Sequence, residues 1–189
     1  MDSALAVLPD ETTLVAQAKV EPAAFAAIYD HYFSRVYNYV RYRLADAQAA
    51  DDVTAQIFER TLANIGRYQP ERVPFAAWLF AIARNTVSDH LRAERRRRWL
   101  SLDILRDQPD GEPQPEQVAI QDEARLMLLA AAACLSDRER DLIALKFAAG
   151  LTNRHMAELA GLSESNVGVT LFRAMRKLRA ELERRGVKP

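Results

Sequence analysis

The stretch from Pro74 to Arg98 most constrains what this chain can fold into, because one helical pattern there joins an apolar half to a nearly all-arginine end. Its apolar side recurs at the spacing of a single helix face, at Phe75, Trp78, Leu79, Ile82 and Thr86. Pro74 is well placed in the first turn of such a helix. The opposite side is polar and basic, with Arg84, Asn85, Ser88, Arg92 and Arg95. A helix buried on one side and lined with Asn and Arg on the other is typical of nucleic-acid binding.

Charge is strongly segregated along the chain, although its 189 residues carry no formal net charge at pH 7. Acidic residues dominate 103–123, whereas basic residues dominate 92–98 and 173–188. Any site for a polyanion must therefore be local. The single cysteine, Cys134, excludes an internal disulfide and fits a reducing cytosol. The sequence shows neither a signal-peptide pattern nor an apolar run long enough to span a membrane, so we expect a cytoplasmic protein.

Helical periodicity runs through the first half of the chain, for which we predict one helical domain over residues 11–98. After a short first helix, an aromatic-rich stripe from Phe25 to Leu44 predicts a second helix that is deeply packed. Asp46 is placed to cap a third helix, which Gly66 ends. That third helix should bury Val53, Ile57, Thr61 and Ile65 and expose Asp52, Gln56 and Glu59.

The helical pattern is lost from Trp99 to about Gln117, where prolines and acidic residues follow closely on one another. We predict a flexible, semi-extended acidic linker over residues 99–117. The pattern returns at Val118, and a second helical domain is predicted over residues 118–186. Because no strand pattern occurs anywhere, the predicted fold class is all-α, with two small helical domains.

The second domain contains the most specific local signal, a short helix, a glycine turn and a longer helix. Ser136 with Glu139 is a capping-box signature, and Thr152 and Ser163 are candidate caps on either side of Gly161. This order predicts a helix-turn-helix. Its long helix should bury Val167, Leu171, Ala174, Leu178 and Leu182, and present Ser165, Asn166, Val169, Phe172, Arg173 and Arg176 to a major groove. The alternative is a helical hairpin whose basic face is merely solvated.

Signatures of catalysis and of metal binding are missing from the sequence. His31, His90 and His155 are far apart, and Cys134 lies on an apolar helical pattern. There is no metal-ligand spacing, nucleophile elbow or phosphate-binding glycine loop. We therefore expect no enzymatic activity, no cofactor, no metal ion and no small-molecule substrate.

Four segments together resemble the extracytoplasmic-function sigma factors, the small two-domain members of the bacterial sigma factor family. They are FAAIYDHYFSRVYNYV, ADDVTAQIFERTL, PFAAWLFAIARNTVSDHLR and LSDRERDLIALKFAAGLTNRHMAELAGLSESNV, in this order. The resemblance covers about Phe25 to Arg185, nearly the whole chain outside the linker. The resemblance implies a region 2 domain, a flexible connection and a region 4 domain. It also implies binding to core RNA polymerase and promoter DNA, and inhibition by an anti-sigma factor clamped between the two domains.

For region 2, the resemblance assigns residues to two contacts. Core polymerase would dock on the outward face of the third helix, at Asp51, Asp52, Gln56 and Glu59. The family usually has an acidic residue where Gln56 stands, so one charge-assisted bond to the polymerase is weaker here. The alternative is that these exposed acidic residues form an ordinary solvated face. The promoter's minus-ten element would be read by Asn85 and Asp89 with the loop residues Arg67, Tyr68 and Gln69.

The chemistry of these side chains agrees with that assignment. An Asn amide can pair with an unstacked base, and an aromatic ring can stack on it. Phosphates would be held by Arg84, Arg92, Arg95 and Arg96. Trp78 is assigned to the core instead of a stacking role, because it lies on the buried stripe.

For region 4, the resemblance implies contacts with the minus-thirty-five element from Ser165, Asn166, Val169, Thr170, Phe172, Arg173, Arg176 and Lys177. Phe172 and Arg173 match the family, which often has arginine or serine where Gly168, Val169 and Thr170 stand. We therefore expect an unusual upstream element, or a weaker dependence on it. Gly168 lowers helix propensity by about 1 kcal/mol relative to Ala and would permit a close approach to the DNA backbone.

The same helix-turn-helix segment also looks like that of response-regulator-type activators, so the alternative function is a stand-alone DNA-binding regulator. Such proteins bind paired half-sites as dimers and usually carry a receiver or ligand domain. The first half of this chain lacks the alternating strand pattern of a receiver and ends in a second nucleic-acid face. These two features favour the sigma factor.

Overall fold

The computed structural model of this protein describes residues 11–44, 46–102 and 127–186. Within these ranges every regular element is a helix, which confirms the predicted all-α class. The part of the predicted linker that follows residue 102, and the predicted helix start at Val118, lie outside the described residues.

Aromatic side chains at helical spacing make α2, Phe25–Arg43, the central helix of the first half. Its buried side carries Ile28, Tyr32, Val36, Tyr39 and Val40. The short helix α1, Glu11–Ala18, packs against α2, and the Tyr32 hydroxyl donates a hydrogen bond to the Glu11 carboxylate. A 3₁₀ turn, Pro22–Ala24, connects the two helices.

Helix α3, Ala47–Asn64, follows the predicted pattern closely. Asp46 caps it, since its Oδ1 accepts from the Gln48 N–H at 3.0 Å. A 3₁₀ turn, Ile65–Arg67, ends the helix around Gly66. The predicted inward residues Val53, Ile57, Thr61 and Ile65 are buried, and the predicted outward residues Asp52, Gln56 and Glu59 are exposed.

Helix α4, Phe75–Leu102, is longer than predicted. Pro74 stands just before it, and its carbonyl accepts from the Trp78 N–H at 3.1 Å. The prediction that the helix ends at Arg98 is wrong, because residues 99–102 of the expected linker are helical. No proline or glycine interrupts this stretch, so the loss of apolar spacing marks a helix that leaves the core and not a helix that ends. Trp99 is accordingly 79% exposed.

The buried side of α4 is broader than the predicted stripe. Phe80, Ala83 and Val87 are fully buried together with Leu79, whereas Ile82 is half-buried. Trp78 is half-buried and contacts the rings of Tyr68 and Phe75, which confirms its assignment to the core. The polar side of α4 therefore stands on a helix that is packed against α2 and α3.

The second half forms the predicted helix-turn-helix. A helical segment at 127–132 leads into α5, Asp137–Phe147, which is followed by α6, Asn153–Ala160, and α7, Glu164–Arg184. The capping box is complete, because Ser136 Oγ accepts from the Glu139 N–H and Glu139 Oε2 accepts from the Ser136 N–H at 2.8 Å. Thr152 and Ser163 cap α6 and α7, and Gly161 makes the turn between them at φ +64°.

The two halves are in direct contact. Helix α2 packs against α5, and α4 packs against α6. One apolar core is continuous across the boundary, from Val15 of α1 to Val167 of α7. In this conformation no gap separates α2 from α5.

Candidate nucleic-acid interface

Asn85 and Asp89 lie one turn apart on the solvent side of α4. Thr86 and Val87, next to Asn85 in the sequence, are buried on the opposite side of the helix. Asn85 is exposed, and its amide makes no hydrogen bond to any residue that the structure describes. Its donors and its acceptor are thus available to a ligand, and the helix beneath it is fixed by packing.

Asp89 is oriented by two neighbouring arginines. Arg92 Nη2 bonds Asp89 Oδ1 at 2.8 Å, and Arg60 of α3 lies 3.6 Å from Asp89 Oδ2. Arg60 also donates to Thr86 Oγ1 at 3.1 Å. These contacts are solvent-exposed, so they contribute little to stability, but they place Asp89 beside Asn85.

The loop before α4 differs from the prediction at Tyr68. Its ring is 5% exposed, packed edge-on against Phe75 and tilted against Trp78, and its hydroxyl donates to the Val73 carbonyl at 2.9 Å. Burial raises the pKa of Tyr68 to about 12. Lys19, just after α1, places its Nζ 5.7 Å from the ring centre and donates to the Tyr68 carbonyl at 2.8 Å. The predicted stacking of Tyr68 on a base is therefore incorrect for this conformation, because the aromatic core takes up the ring.

The other two loop residues remain accessible. Arg67 and Gln69 flank Tyr68 and are both exposed. Arg67 Nη1 donates to Asn64 Oδ1 at 3.3 Å, a long bond that a stronger acceptor could replace.

The four predicted phosphate-binding arginines divide into two pairs. Arg92 and Arg96 are exposed on the outer side of α4. Arg84 and Arg95 instead reach across to the second half of the chain. Arg84 Nε donates to Asp141 Oδ2 at 2.7 Å and its Nη1 to the Leu159 carbonyl at 2.9 Å, while Arg95 bonds the Asp137 carboxylate.

Three polar contacts also join α2 to α5 and to the turn that follows α5. Arg35, Tyr39 and Arg43 recur every four residues and so share one face of α2. Along that face Arg35 bonds the Ala149 carbonyl, Tyr39 donates its hydroxyl to Asp141 Oδ1 at 2.8 Å, and Arg43 donates to the Asp137 carbonyl at 2.9 Å. As the residue number rises along α2, the residue number of the partner falls from 149 to 141 to 137, so α2 and α5 pack antiparallel. Burial and the neighbouring Asp141 raise the pKa of Tyr39 well above its ordinary value.

The acidic face predicted to meet core polymerase is formed. Asp51, Asp52, Gln56 and Glu59 are all exposed on α3. Among the described residues none of its three carboxylates takes part in an ion pair, so the face keeps its negative charge. Such a face can accept a basic surface of another protein.

The recognition face of α7 is also formed. Ser165, Asn166, Val169, Phe172, Arg173 and Arg176 are all exposed, and Arg176 lies 5.9 Å from the Phe172 ring centre. The Thr170 hydroxyl donates to Asn166 Oδ1 at 3.2 Å.

Two further residues of α7 contact other helices of the second half. Lys177 donates to Glu139 Oε1 at 2.7 Å and so fastens α7 to the start of α5. Gly168 points towards Asn153 of α6, where a Cβ would lie 3.9 Å from its amide nitrogen. This placement puts Gly168 at the crossing of α6 and α7, away from the exposed groove-facing row.

The residues that the structure describes contain no group of three or more side chains suited to a metal ion. In that same part of the chain, no helix combines the length and the apolar character needed to cross a membrane. Cys134 is a free, exposed thiol.

Sequence reasoning missed Tyr39, Arg43, Asp137 and Asp141, which link the two halves. Their only sequence signal is spacing: two aspartates four residues apart on α5, and polar residues every four positions on α2. That spacing shows which residues share a helix face, but it does not show which distant residues contact that face. Tyr39 and Asp141, for example, are 102 positions apart in the sequence.

Comparison with known proteins agrees with these two domains. The family model for sigma-70 region 2 matches residues 28–97, and that for sigma-70 region 4 matches residues 125–178. BldN of Streptomyces coelicolor, an ECF RNA polymerase sigma factor, is 32% identical over 158 residues, which make up 84% of this chain and 60% of BldN. SigL of Mycobacterium tuberculosis, named in the same way, is 29% identical over 170 residues, 90% of this chain and 95% of SigL.

A solved structure has the same fold. The sigma factor RpoE of Bartonella quintana, in complex with the anti-sigma factor NepR, superimposes with a TM-score of 0.67 at 20% identity. The match covers 84% of this chain and 96% of RpoE. A match to region 2 over the first half is not what a response-regulator-type activator would give, so that alternative is not favoured.

Proposed function

We propose that this chain, which belongs to the extracytoplasmic-function sigma factors, directs promoter-specific transcription initiation. It binds core RNA polymerase, positions promoter DNA and favours duplex opening, and it performs no covalent chemistry itself. The observation that carries the proposal is the Asn85 amide, exposed and without a partner among the described residues on a helix that is packed on its other side. An amide held in this way can capture an unpaired base by its Watson–Crick edge.

Each of the three surfaces has a role in this proposal. The α3 face with Asp51, Asp52 and Glu59 docks on a basic surface of core polymerase, and Gln56 contributes a neutral hydrogen bond there. The α4 face with Asn85 and Asp89 reads the minus-ten element.

The α7 face contacts the minus-thirty-five element. Arg173 and Arg176 are the residues of that face best suited to guanine or phosphate. Lys177 stabilises the domain by its bond to Glu139, so it contributes less to DNA binding than Arg173.

An anti-sigma factor is the expected inhibitor, by analogy with the RpoE–NepR complex. The resemblance implies an inhibitor clamped between the two domains. In this conformation α2 and α5 touch directly, so a partner inserted there would first have to break the Tyr39–Asp141 contact. A partner that binds to the outer surfaces of both halves would not have to break this contact.

Run-off transcription with core enzyme on a promoter library tests this function. Asn85→Ala should reduce promoter opening and relax base preference at one position, by a factor that corresponds to about 1–3 kcal/mol. The matched control Arg96→Ala removes an exposed arginine of the same helix and should weaken binding evenly across sequences.

Equal losses on matched and mismatched promoters for Asn85→Ala would count against its role as a base reader. A chain that fails to bind core polymerase, yet binds duplex DNA alone with high specificity, would instead support the stand-alone regulator.

A further inference from the structure

Three arginines of the first half converge on two carboxylates of α5. Asp137 and Asp141 are four residues apart and therefore lie on one face of that helix. Arg84 Nε donates to Asp141 at 2.7 Å, Arg43 Nε lies 3.8 Å from the same carboxylate, and Arg95 bonds Asp137. We call Arg43, Arg84 and Arg95 the arginine cluster.

Asp141 is buried, with 6% of its surface exposed, and a buried carboxylate needs partners to remain charged. All the partners that the described residues give its side chain belong to the first half: Tyr39, Arg43 and Arg84. None comes from the helix-turn-helix that contains Asp141. Its side chain therefore contributes to the contact between the halves and not to the fold of its own half.

The arginine cluster is suited to phosphate as well as to carboxylate, because a guanidinium binds both through the same fork of N–H donors. Arg43 Nε is buried without a hydrogen-bond partner among the described residues, so one donor of the cluster is unsatisfied in the closed form. Beside the cluster an open cleft of about 350 Å³ is lined by Arg43, Arg84 and Arg95 together with Arg92. The cleft joins the cluster to the exposed basic side of α4.

We infer that Arg43, Arg84 and Arg95 form a binding site for nucleic-acid phosphates, which Asp137 and Asp141 occupy when the two halves are closed. The identity of the anion rests on the proposed function, whereas the closure itself does not. Closure and nucleic-acid binding by this part of α4 are then competing states, and a ligand shifts the population between them. The recognition face of α7 and the Asn85 side of α4 stay exposed in the closed form, so closure engages only the arginine cluster.

The chain carries natural probes for this competition. Its two tryptophans, Trp78 and Trp99, both lie on α4, and its only cysteine, Cys134, is exposed in the second half. Energy transfer from tryptophan to a dye on Cys134 therefore reports on the separation of the halves without added mutations. A short oligo(dT) is the nucleic-acid probe, because it binds through phosphates and stacking and requires neither promoter nor polymerase.

Asp141→Asn should lower the energy transfer and raise the affinity for oligo(dT) about tenfold, since competition by the carboxylate is removed. Glu183→Gln removes the same charge from an exposed pair with Arg179 and should change neither quantity. If circular dichroism shows that Asp141→Asn has lost helix, Tyr39→Phe replaces it, because that change removes one bond to Asp141 and keeps the ring in the core.

The assignment of Arg43 has its own measurement. In the Asp141→Asn background, Arg43→Gln should lower the slope of log affinity against log salt by about 0.7, the value for one phosphate contact on a single strand. An unchanged slope would remove Arg43 from the site. Energy transfer that is the same in wild type and Asp141→Asn, or that falls without a gain in oligo(dT) affinity, would overturn the competition. Neither measurement involves core polymerase. A failure of run-off transcription would therefore leave the competition intact, and a failure of the competition would leave the proposed function intact.

Discussion

Gly168→Ala should stabilise the protein, although the sequence suggests a functional reason for the glycine. The residue is inside α7 with a helical backbone, so alanine gains about 0.5–1 kcal/mol through lower backbone entropy in the unfolded chain. The new Cβ would lie 3.9 Å from the Asn153 amide nitrogen, which is an ordinary contact, and no other heavy atom is crowded. The gain from propensity is therefore not offset by a clash.

The matched control is Gly161→Ala in the turn of the same helix-turn-helix. Gly161 has φ +64°, in the left-handed region where a Cβ is unfavourable, so alanine should destabilise by about 1–2 kcal/mol. Thermal unfolding followed by circular dichroism compares the two variants. For a two-state transition of a chain of this length, 1 kcal/mol corresponds to a shift of about 2–4 °C in Tm.

The expected result is a higher Tm for Gly168→Ala and a lower Tm for Gly161→Ala. If both variants shift in the same direction, the reasoning from local geometry is refuted. Binding to promoter DNA separates the two explanations of Gly168. A stabilised Gly168→Ala variant with unchanged promoter affinity would show that the glycine is not needed for a close approach to the DNA backbone.

Two further predictions concern the ends of helices. Glu139→Gln should cost about 1–3 kcal/mol, because the bond from Lys177 holds the pKa of Glu139 below its ordinary value and the same carboxylate completes the capping box. A lowered folded-state pKa contributes stability above the unfolded pKa, so the difference between wild type and variant in urea midpoint should shrink as pH falls below about 4.5. Asp46→Ala should cost about 1 kcal/mol through loss of the α3 cap, and an unchanged urea midpoint would contradict this value.

Local features of the fold could be predicted from the sequence because they depend on neighbours within a turn or two. The caps at Asp46, Ser136, Thr152 and Ser163 are all present where Ser, Thr or Asp precedes a helical pattern. The buried face of α3 also follows directly from its spacing.

Two errors have physical reasons. The resemblance assigns Tyr68 to a base, but Phe75 of α4 and Lys19, 49 residues away in sequence, enclose its ring. The end of α4 was placed too early because apolar spacing reports burial, whereas a helix can continue in solvent when nothing removes its backbone donors.

For the candidate sites, exposure could be predicted from the sequence, but long-range contacts could not. Exposure of Asn85, Arg96 and the α7 row follows from helical geometry and is seen in the structure. Whether an exposed-face arginine is available to DNA depends on long-range contacts, and Arg84 is engaged by Asp141 from a position 57 residues away. Spacing within one helix carries no information about such a partner.

The contact between the halves has a consequence for the inferred binding of nucleic acid, because it pairs arginines with carboxylates inside the molecule. Unpaired, the arginine cluster would bind any polyanion through sequence-independent contacts that weaken with salt. Asp137 and Asp141 offset two of its three charges, so the free protein presents Arg92, Arg96 and the α7 face unpaired with the second half, whereas Arg84 and Arg95 are engaged by carboxylates. Under the inferred competition, a promoter complex that releases them must supply at least the free energy of the lost carboxylate contacts, so we expect sites that offer base contacts to Asn85 to be favoured over random DNA. The Asp137 and Asp141 contacts would then favour discrimination between promoters and bulk DNA.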